Sequence, residues 1–198
     1  MRHPRCMLVT ALLLAAGSGR RMGVPKGLLR DDDGTAWVAR SARVLADGGC
    51  DPVLVVVGAR AADVAALVPA TARVVVAPGW AEGMGASLRA GLDAATSACP
   101  QAVAAVVGLV DTPGVTADVV ARLVAAARLA GPGGLVRAAY GGHPGHPVVL
   151  GRAHWAAVTA QATGDAGARG YLSGRPVTPV ECGDVGDGRD VDTPPVPA

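Results

Sequence analysis

Arg20, Arg21 and Lys26 put three cations within seven positions of the stretch LLLAAGSGRRMGVPK at 12–26, and Gly17, Gly19 and Gly23 lie among them. Glycines let the backbone take positive φ and present bare N–H groups. Arginine grips phosphate oxygens with paired donors, and lysine acts as a point charge. A loop of this make-up suits a polyphosphate, whose charge it neutralises as that charge builds on a phosphorus centre. A second chemistry-bearing position is Asp111, which follows the apolar run 103–110. An acid there is either a helix cap or, beside phosphate, a ligand for Mg²⁺, which takes one or two carboxylates plus substrate oxygens. Further on, His143 and His146 sit three apart in GGHPGHP, and Asp165 and Arg169 sit on the glycine hinges of GDAGAR. Prolines in an extended turn do not set a ligating face as a helix would, so this segment reads as a substrate-lining loop rather than a metal pair.

The elements that must position these groups follow from apolar patterning. Residues 7–16 make a strand-length apolar run that breaks at Gly17. A helix is expected from Thr35, with Thr35 as its cap, with Trp37, Val38, Ser41, Val44 and Leu45 near one face, and with Gly48-Gly49 as its stop. A strand at 53–57, a short helix at 63–67 and a strand at 74–76 come next. A second glycine-rich turn, PGWAEGMGAS at 78–87, enters a helix at 86–95, and a fourth strand at 103–110 delivers Asp111. Helix 117–130, strand 135–139, helix 152–162, short helix 168–172 and a weak strand at 177–180 complete the pattern. Alternating strands and helices define an α/β protein with a mainly parallel sheet covered on both faces. The strand-to-helix loops of such a sheet share its carboxyl edge, which gathers both glycine turns and Asp111. Asp31, Asp32 and Asp33 ahead of Gly34 read as a solvated turn.

Composition removes several function classes. A net charge of +2 gives no basic face for nucleic acid, and 3% aromatic residues with no phenylalanine leave no base-stacking platform. Cys6, Cys50, Cys99 and Cys182 are scattered without a C-x-x-C pair, as expected of buried thiols in a reducing compartment. No apolar run reaches the roughly 20 residues of a membrane span. A basic start followed by Leu14-Ala15-Ala16 also resembles a secretory signal, but cleavage there would remove the first strand. Gly17-x-Gly19-x-x-x-Gly23 is not the dinucleotide-binding spacing, and Lys26 followed by Gly27 is not a P-loop. A surface turn with scattered arginines is the remaining bland reading of that loop. The expectation is a cytoplasmic, soluble, monomeric protein of one domain over 1–198, irregular from 184 onward.

Six motifs in one order, LAAGSGRRMGVPK, PGWAEGMGASLRAGL, VDTPGV, GHPGHPVVL, GDAGARGYL and DVDTP, resemble the molybdenum cofactor nucleotidyltransferases, and they span 12–194. Leu14-Ala15-Ala16-Gly17 is similar to the cytidylyltransferase branch, where the guanylyltransferase branch usually has LAGG. The resemblance implies a three-layer α/β/α Rossmann-like fold of the nucleotide-diphospho-sugar transferase type. It also implies transfer of CMP from CTP, or GMP from GTP, to the phosphate of molybdopterin, with Mg²⁺ and release of pyrophosphate. By position, Leu14, Ala15, Ala16, Gly17, Ser18, Gly19, Arg20, Gly83 and Ser87 would lie against the nucleotide, and Arg21 and Lys26 would bind its triphosphate. Asp111 and Asp192 would hold the metal, and His146, Asp165 and Arg169 would face the pterin. Another phosphorylated acceptor, or a non-catalytic role in delivering the cofactor to a molybdoenzyme, are the alternatives. Two departures stand out: Ala77 replaces the family's usual asparagine, and Pro195-Val196 replaces the acids that usually follow Thr-Pro.

Overall fold

A computed structural model describes residues 7–20 and 22–191. Seven strands form one sheet in the order β3-β2-β1-β4-β6-β5-β7. In chain order they are β1 (Val9–Ala15), β2 (Val53–Val57), β3 (Arg73–Val76), β4 (Ala104–Leu109), β5 (Leu135–Tyr140), β6 (His143–Gly151) and β7 (Thr178–Glu181). The helices are α1 (Trp37–Asp47), α2 (Ala61–Ala65), α3 (Met84–Ala98), α4 (Ala117–Ala130), α5 (Trp155–Gln161) and α6 (Arg169–Leu172). All pairings are parallel except those of β6, which runs antiparallel to both β4 and β5.

Burial on both faces explains the unbroken apolar strands. One core cluster holds Val9, Ala11, Leu13 and Ala15 with residues of α1 and α4, such as Val38, Leu45, Val120 and Leu123. The other holds Leu12 and Leu14 with Leu88 and Leu92 of α3, Trp155 and Val158 of α5, and Leu172 of α6. Alternate side chains of β1 therefore enter opposite layers, as the two-residue period of a strand requires. Each fully buried leucine contributes roughly 1.5–3 kcal/mol of transfer free energy.

Two sequence expectations are corrected. Thr35 does not cap α1: the cap position is Ala36, without a side-chain bond. Thr35 is held instead by the preceding turn, its N–H donating to the Asp33 carboxylate at 2.8 Å and its carbonyl accepting from Asp31 at 3.0 Å. The histidine-proline segment is not a loop but the start of β6. Pro144 and Pro147 lack N–H donors, yet the β4 ladder begins only at Val148, and a bulge between Arg137 and Ala139 adjusts the β5 side. The strand thus overhangs β4, which pairs with it only from Val148 onward, so Pro147 need supply no N–H to that neighbour.

Glu181 anchors the turn from which this overhang starts. Its carboxylate accepts from the N–H groups of Gly141 at 2.8 Å, Gly142 at 2.9 Å and Gly183 at 2.9 Å. These bonds, that of Gly142 foremost, hold the carboxyl below its ordinary value of 4.5. A depressed folded-state pKa means that the contribution is complete above the unfolded value and is lost as pH falls through the folded one. The difference in urea midpoint between the wild type and Glu181→Gln should therefore be constant near neutrality and shrink below about pH 4.5. A difference that grows on acidification would contradict the assignment.

Candidate functional site

From β1 the sheet grows through β2 to β3 on one side, and β4 then begins the other side. The carboxyl ends of β1 and β4 are thus the topological switch point, the place where open α/β sheets bind ligands. Leu14 and Leu109 are register partners there, and the Val110 N–H donates to the Leu14 carbonyl at 3.3 Å. Both chains leave the sheet at this level, β1 into the glycine loop and β4 into Asp111.

Local packing returns the glycine loop to the crevice. Gly19 adopts φ +62°, and a Cβ there would strike the Val24 carbonyl, so the close turn needs glycine. A 3₁₀ turn, Lys26–Leu28, follows Pro25. Its buried Gly27 fits so tightly that an added Cβ would lie 3.1 Å from Val64 Cγ1. This seat on α2 and α1 aims Lys26 across the crevice, where Nζ donates to Asp111 Oδ2 at 2.7 Å. The two side chains are only 16% and 19% exposed, so their attraction is less screened than that of a surface pair.

The opposite wall is the short turn Trp80–Glu82, Gly83 and the start of α3. Arg89 braces it, donating to Glu82 Oε2 at 2.8 Å and to the Ala162 carbonyl at 2.6 Å. Gly83, at φ +116°, approaches Gly164 and Asp165 so closely that a Cβ would lie 2.6 Å from Asp165 Oδ1. Between the walls lies a cavity of about 400 Å³, lined by Leu14, Ala16, Gly17, Ser18, Gly19, Arg20, Lys26, Trp80, Gly83, Ser87, Asp111 and Asp165. An adjoining cavity of about 420 Å³ shares Leu14, Asp111 and Asp165 and adds His146, Arg137, Arg169 and Asp190.

The second chamber surrounds an imidazole. Burial foremost, then the Arg137 charge, pushes the His146 pKa down and favours its neutral form. The His146 carbonyl accepts from the Tyr140 hydroxyl at 2.7 Å, and Arg137 Nε donates to the Gly145 carbonyl at 2.9 Å. The Val191 N–H donates to the Asp111 carbonyl at 2.9 Å, which ties the segment bearing Asp190 to the end of β4. Among the described residues no group of three or more His, Cys, Asp or Glu is placed to hold a metal ion.

The structure therefore brings together most of the residues singled out in the sequence. Ala15 and His143 are the exceptions: Ala15 packs in the core on the α1 face, and the exposed His143 lines a separate cavity with Tyr140 and Asp187. Arg21 and Asp192 lie outside the described residues. Ala77, where the resemblance expects asparagine, is fully buried in the α3-side core. Trp80, Arg137 and Asp190 were not singled out as site residues. Arg137 had a usable signal: it is the one charge inside the strand LVRAAY.

A nucleotide-sized cleft at the switch point of a mainly parallel sheet, floored by a glycine loop and a lysine–aspartate pair, is that of a nucleotidyltransferase fold. The chain belongs to the MobA-like NTP transferase domain family, whose model matches residues 11–179. It is 40% identical to nicotine blue oxidoreductase of Paenarthrobacter nicotinovorans, with 93% of this chain and 92% of that protein covered. Its fold is similar to the crystal structure of Rv0371c from Mycobacterium tuberculosis H37Rv, at 29% identity and TM-score 0.80 over 94% of this chain and 93% of that one. A second structure of Rv0371c, in complex with manganese, matches at 28% identity and TM-score 0.72 over 88% of each chain. No helix among the described residues is long and apolar enough to cross a membrane.

Proposed function

We propose that this chain transfers CMP from CTP to the terminal phosphate of molybdopterin and releases pyrophosphate. The observation that carries the reading is the Lys26–Asp111 contact of 2.7 Å at the junction of the two cavities. One cavity offers the glycine loop to a triphosphate; the other offers His146 and Arg169 to an acceptor. An acceptor phosphate oxygen attacks the α-phosphorus, a new P–O bond forms there, and the bond to the bridging oxygen of pyrophosphate breaks. No side-chain nucleophile is needed, because orientation and neutralisation of spreading charge lower the barrier. Lys26 and Arg20 neutralise the phosphates, and the glycine loop holds them by its N–H groups. Small Ala16 on the wall is the feature that favours cytosine over guanine.

Asp111 fits a divalent ion of the Mg²⁺ type. It offers a hard carboxylate at the junction, and such an ion is typically held by one or two carboxylates with substrate oxygens completing its shell. Bound there, the ion would act as a Lewis acid and template for the phosphates. Asp192 is proposed as the second carboxylate. The manganese complex of Rv0371c supports divalent-ion binding in a similar fold.

Mass spectrometry of products tests this directly, using purified protein, Mg²⁺, molybdopterin and equimolar CTP, GTP, ATP and UTP. A CMP adduct is expected. A GMP adduct would move the base assignment, and absence of any adduct from folded, NTP-binding protein would remove the acceptor or the reaction. A second reading, oxidoreduction, draws on the 40% identity to nicotine blue oxidoreductase. It requires redox turnover of nicotine blue without consumption of NTP, for which the same preparation can be assayed with a nicotinamide or flavin co-substrate.

A further inference from the structure

Beyond the two joined chambers lies a third cavity of about 500 Å³, against β5, β7 and α6. It shares Arg137, Pro144, Arg169 and Leu172 with the second chamber, so these residues stand on the boundary of both. The carboxylates lie on one side of that boundary. Asp111, Asp165 and Asp190 all line the second chamber, whereas among the described residues the only charged ones lining the third are Arg137 and Arg169. The rest of its wall is small and uncharged, as with Ala138, Val177 and Pro179.

Arg137 rises from the middle of β5, and Arg169 opens α6 at the rim. Among the described residues neither forms an ion pair, although six other pairs are present. Two guanidinium groups on one cavity boundary, neither held by a carboxylate among the described residues, make a place that an anion would fill. The proximity is consistent with the lowered pKa of Arg137, for which burial is the first cause and Arg169 the second. Both arginines line the second chamber together with His146 and with Asp111 at the end of β4.

We propose that Arg137 and Arg169 form a two-arginine clamp for the phosphate of the acceptor, and that the third cavity receives the acceptor's uncharged body. The acceptor class is thus a phosphomonoester carrying a compact, uncharged body, entering from the β7 side while the nucleotide enters from the glycine-loop side. The word "acceptor" rests on the transfer reading above; the anion pocket itself does not.

Riboflavin 5′-phosphate is a suitable probe, being a flat fluorescent phosphomonoester, with riboflavin as its uncharged counterpart. Binding is measured by fluorescence anisotropy with the first cavity filled by α,β-methylene-CTP and Mg²⁺, for the wild type, Arg137→Ala, Arg137→Lys and Arg169→Ala. Arg169→Ala guards against a folding defect, because that side chain is exposed and makes no side-chain hydrogen bond among the described residues. Each alanine variant should bind the phosphate probe about tenfold more weakly, as expected for loss of one charge-assisted contact. Arg137→Lys should recover part of the loss, riboflavin should bind at least as weakly as the variants do, and affinity for the CTP analogue should stay within about twofold of wild type. Equal binding by wild type and both alanine variants, equal binding of the two probes, or no binding of either would overturn the clamp. Should the wild type fail to bind the CTP analogue yet still need both arginines for riboflavin 5′-phosphate, the clamp stands and the transfer reading falls. The reverse result removes the clamp alone.

Discussion

Asp111→Ala is expected to lower kcat for nucleotidyl transfer about a thousand-fold, the scale of losing one preorganised electrostatic contact and the metal template together. The carboxylate stands where the two cavities meet, so its loss is expected to act on the α-phosphorus of the transferred nucleotidyl group rather than on either substrate's remote part. The sheet should persist, since Asp111 follows β4 and its carbonyl, not its side chain, accepts from Val191. Lys26→Ala should cost about a hundred-fold in kcat/KM, mostly through weaker triphosphate binding. Because Lys26 and Asp111 touch, the double variant should lose less than the product of the single losses. Steady-state kinetics with circular dichroism on all three proteins checks this. Full additivity would mean that the contact is incidental, and undiminished activity of Asp111→Ala would remove the metal assignment.

Gly83→Ala carries the second large effect. At φ +116° an L side chain is strained, and its Cβ would meet Gly164 C, Gly164 O and Asp165 Oδ1, each at 2.6 Å. Backbone strain costs about 1–3 kcal/mol and overpacking about as much again, so a loss of about 3 kcal/mol in unfolding free energy is expected. The turn that bears Trp80 would be pushed off the Gly164-Asp165 segment, opening a wall common to both cavities, and KM for the nucleotide should rise about tenfold. Gly170→Ala is the control: it lies in α6 with nothing within 4 Å of the added Cβ, and should be neutral or stabilising. Urea unfolding and nucleotide titration of the pair decide the matter. If Gly83→Ala behaves like Gly170→Ala, the close approach of the two segments does not govern the cleft.

The mainly parallel α/β class was legible because strands buried on both faces appear as unbroken apolar runs and break at glycine turns. Asp111 was legible for the same reason: an acid directly after the run 103–110 has to emerge at the strand's carboxyl end. The same uniformity hid the fate of Ala15. In a strand whose seven residues are all buried, no polar alternation marks which face a side chain joins. Thr35 shows a local competition that spacing does not resolve, since its backbone was claimed by the turn at Asp31 and Asp33 before it could cap α1.

What the sequence determined by itself was the set of layers, the carboxyl edge and the chemistry assembled there, because strand period, glycine turns and charge type act over a few neighbouring residues. What only the tertiary structure decided was strand order and long-range approach. The antiparallel insertion of β6 between β4 and β5 carries His146 into the second chamber, and the docking of Gly83 on Gly164 joins segments 81 positions apart. Arg137 and Arg169 share a boundary for the same reason. Such contacts arise from the packing of two complete helical layers on one sheet, and no local pattern encodes which distant residues that packing brings face to face.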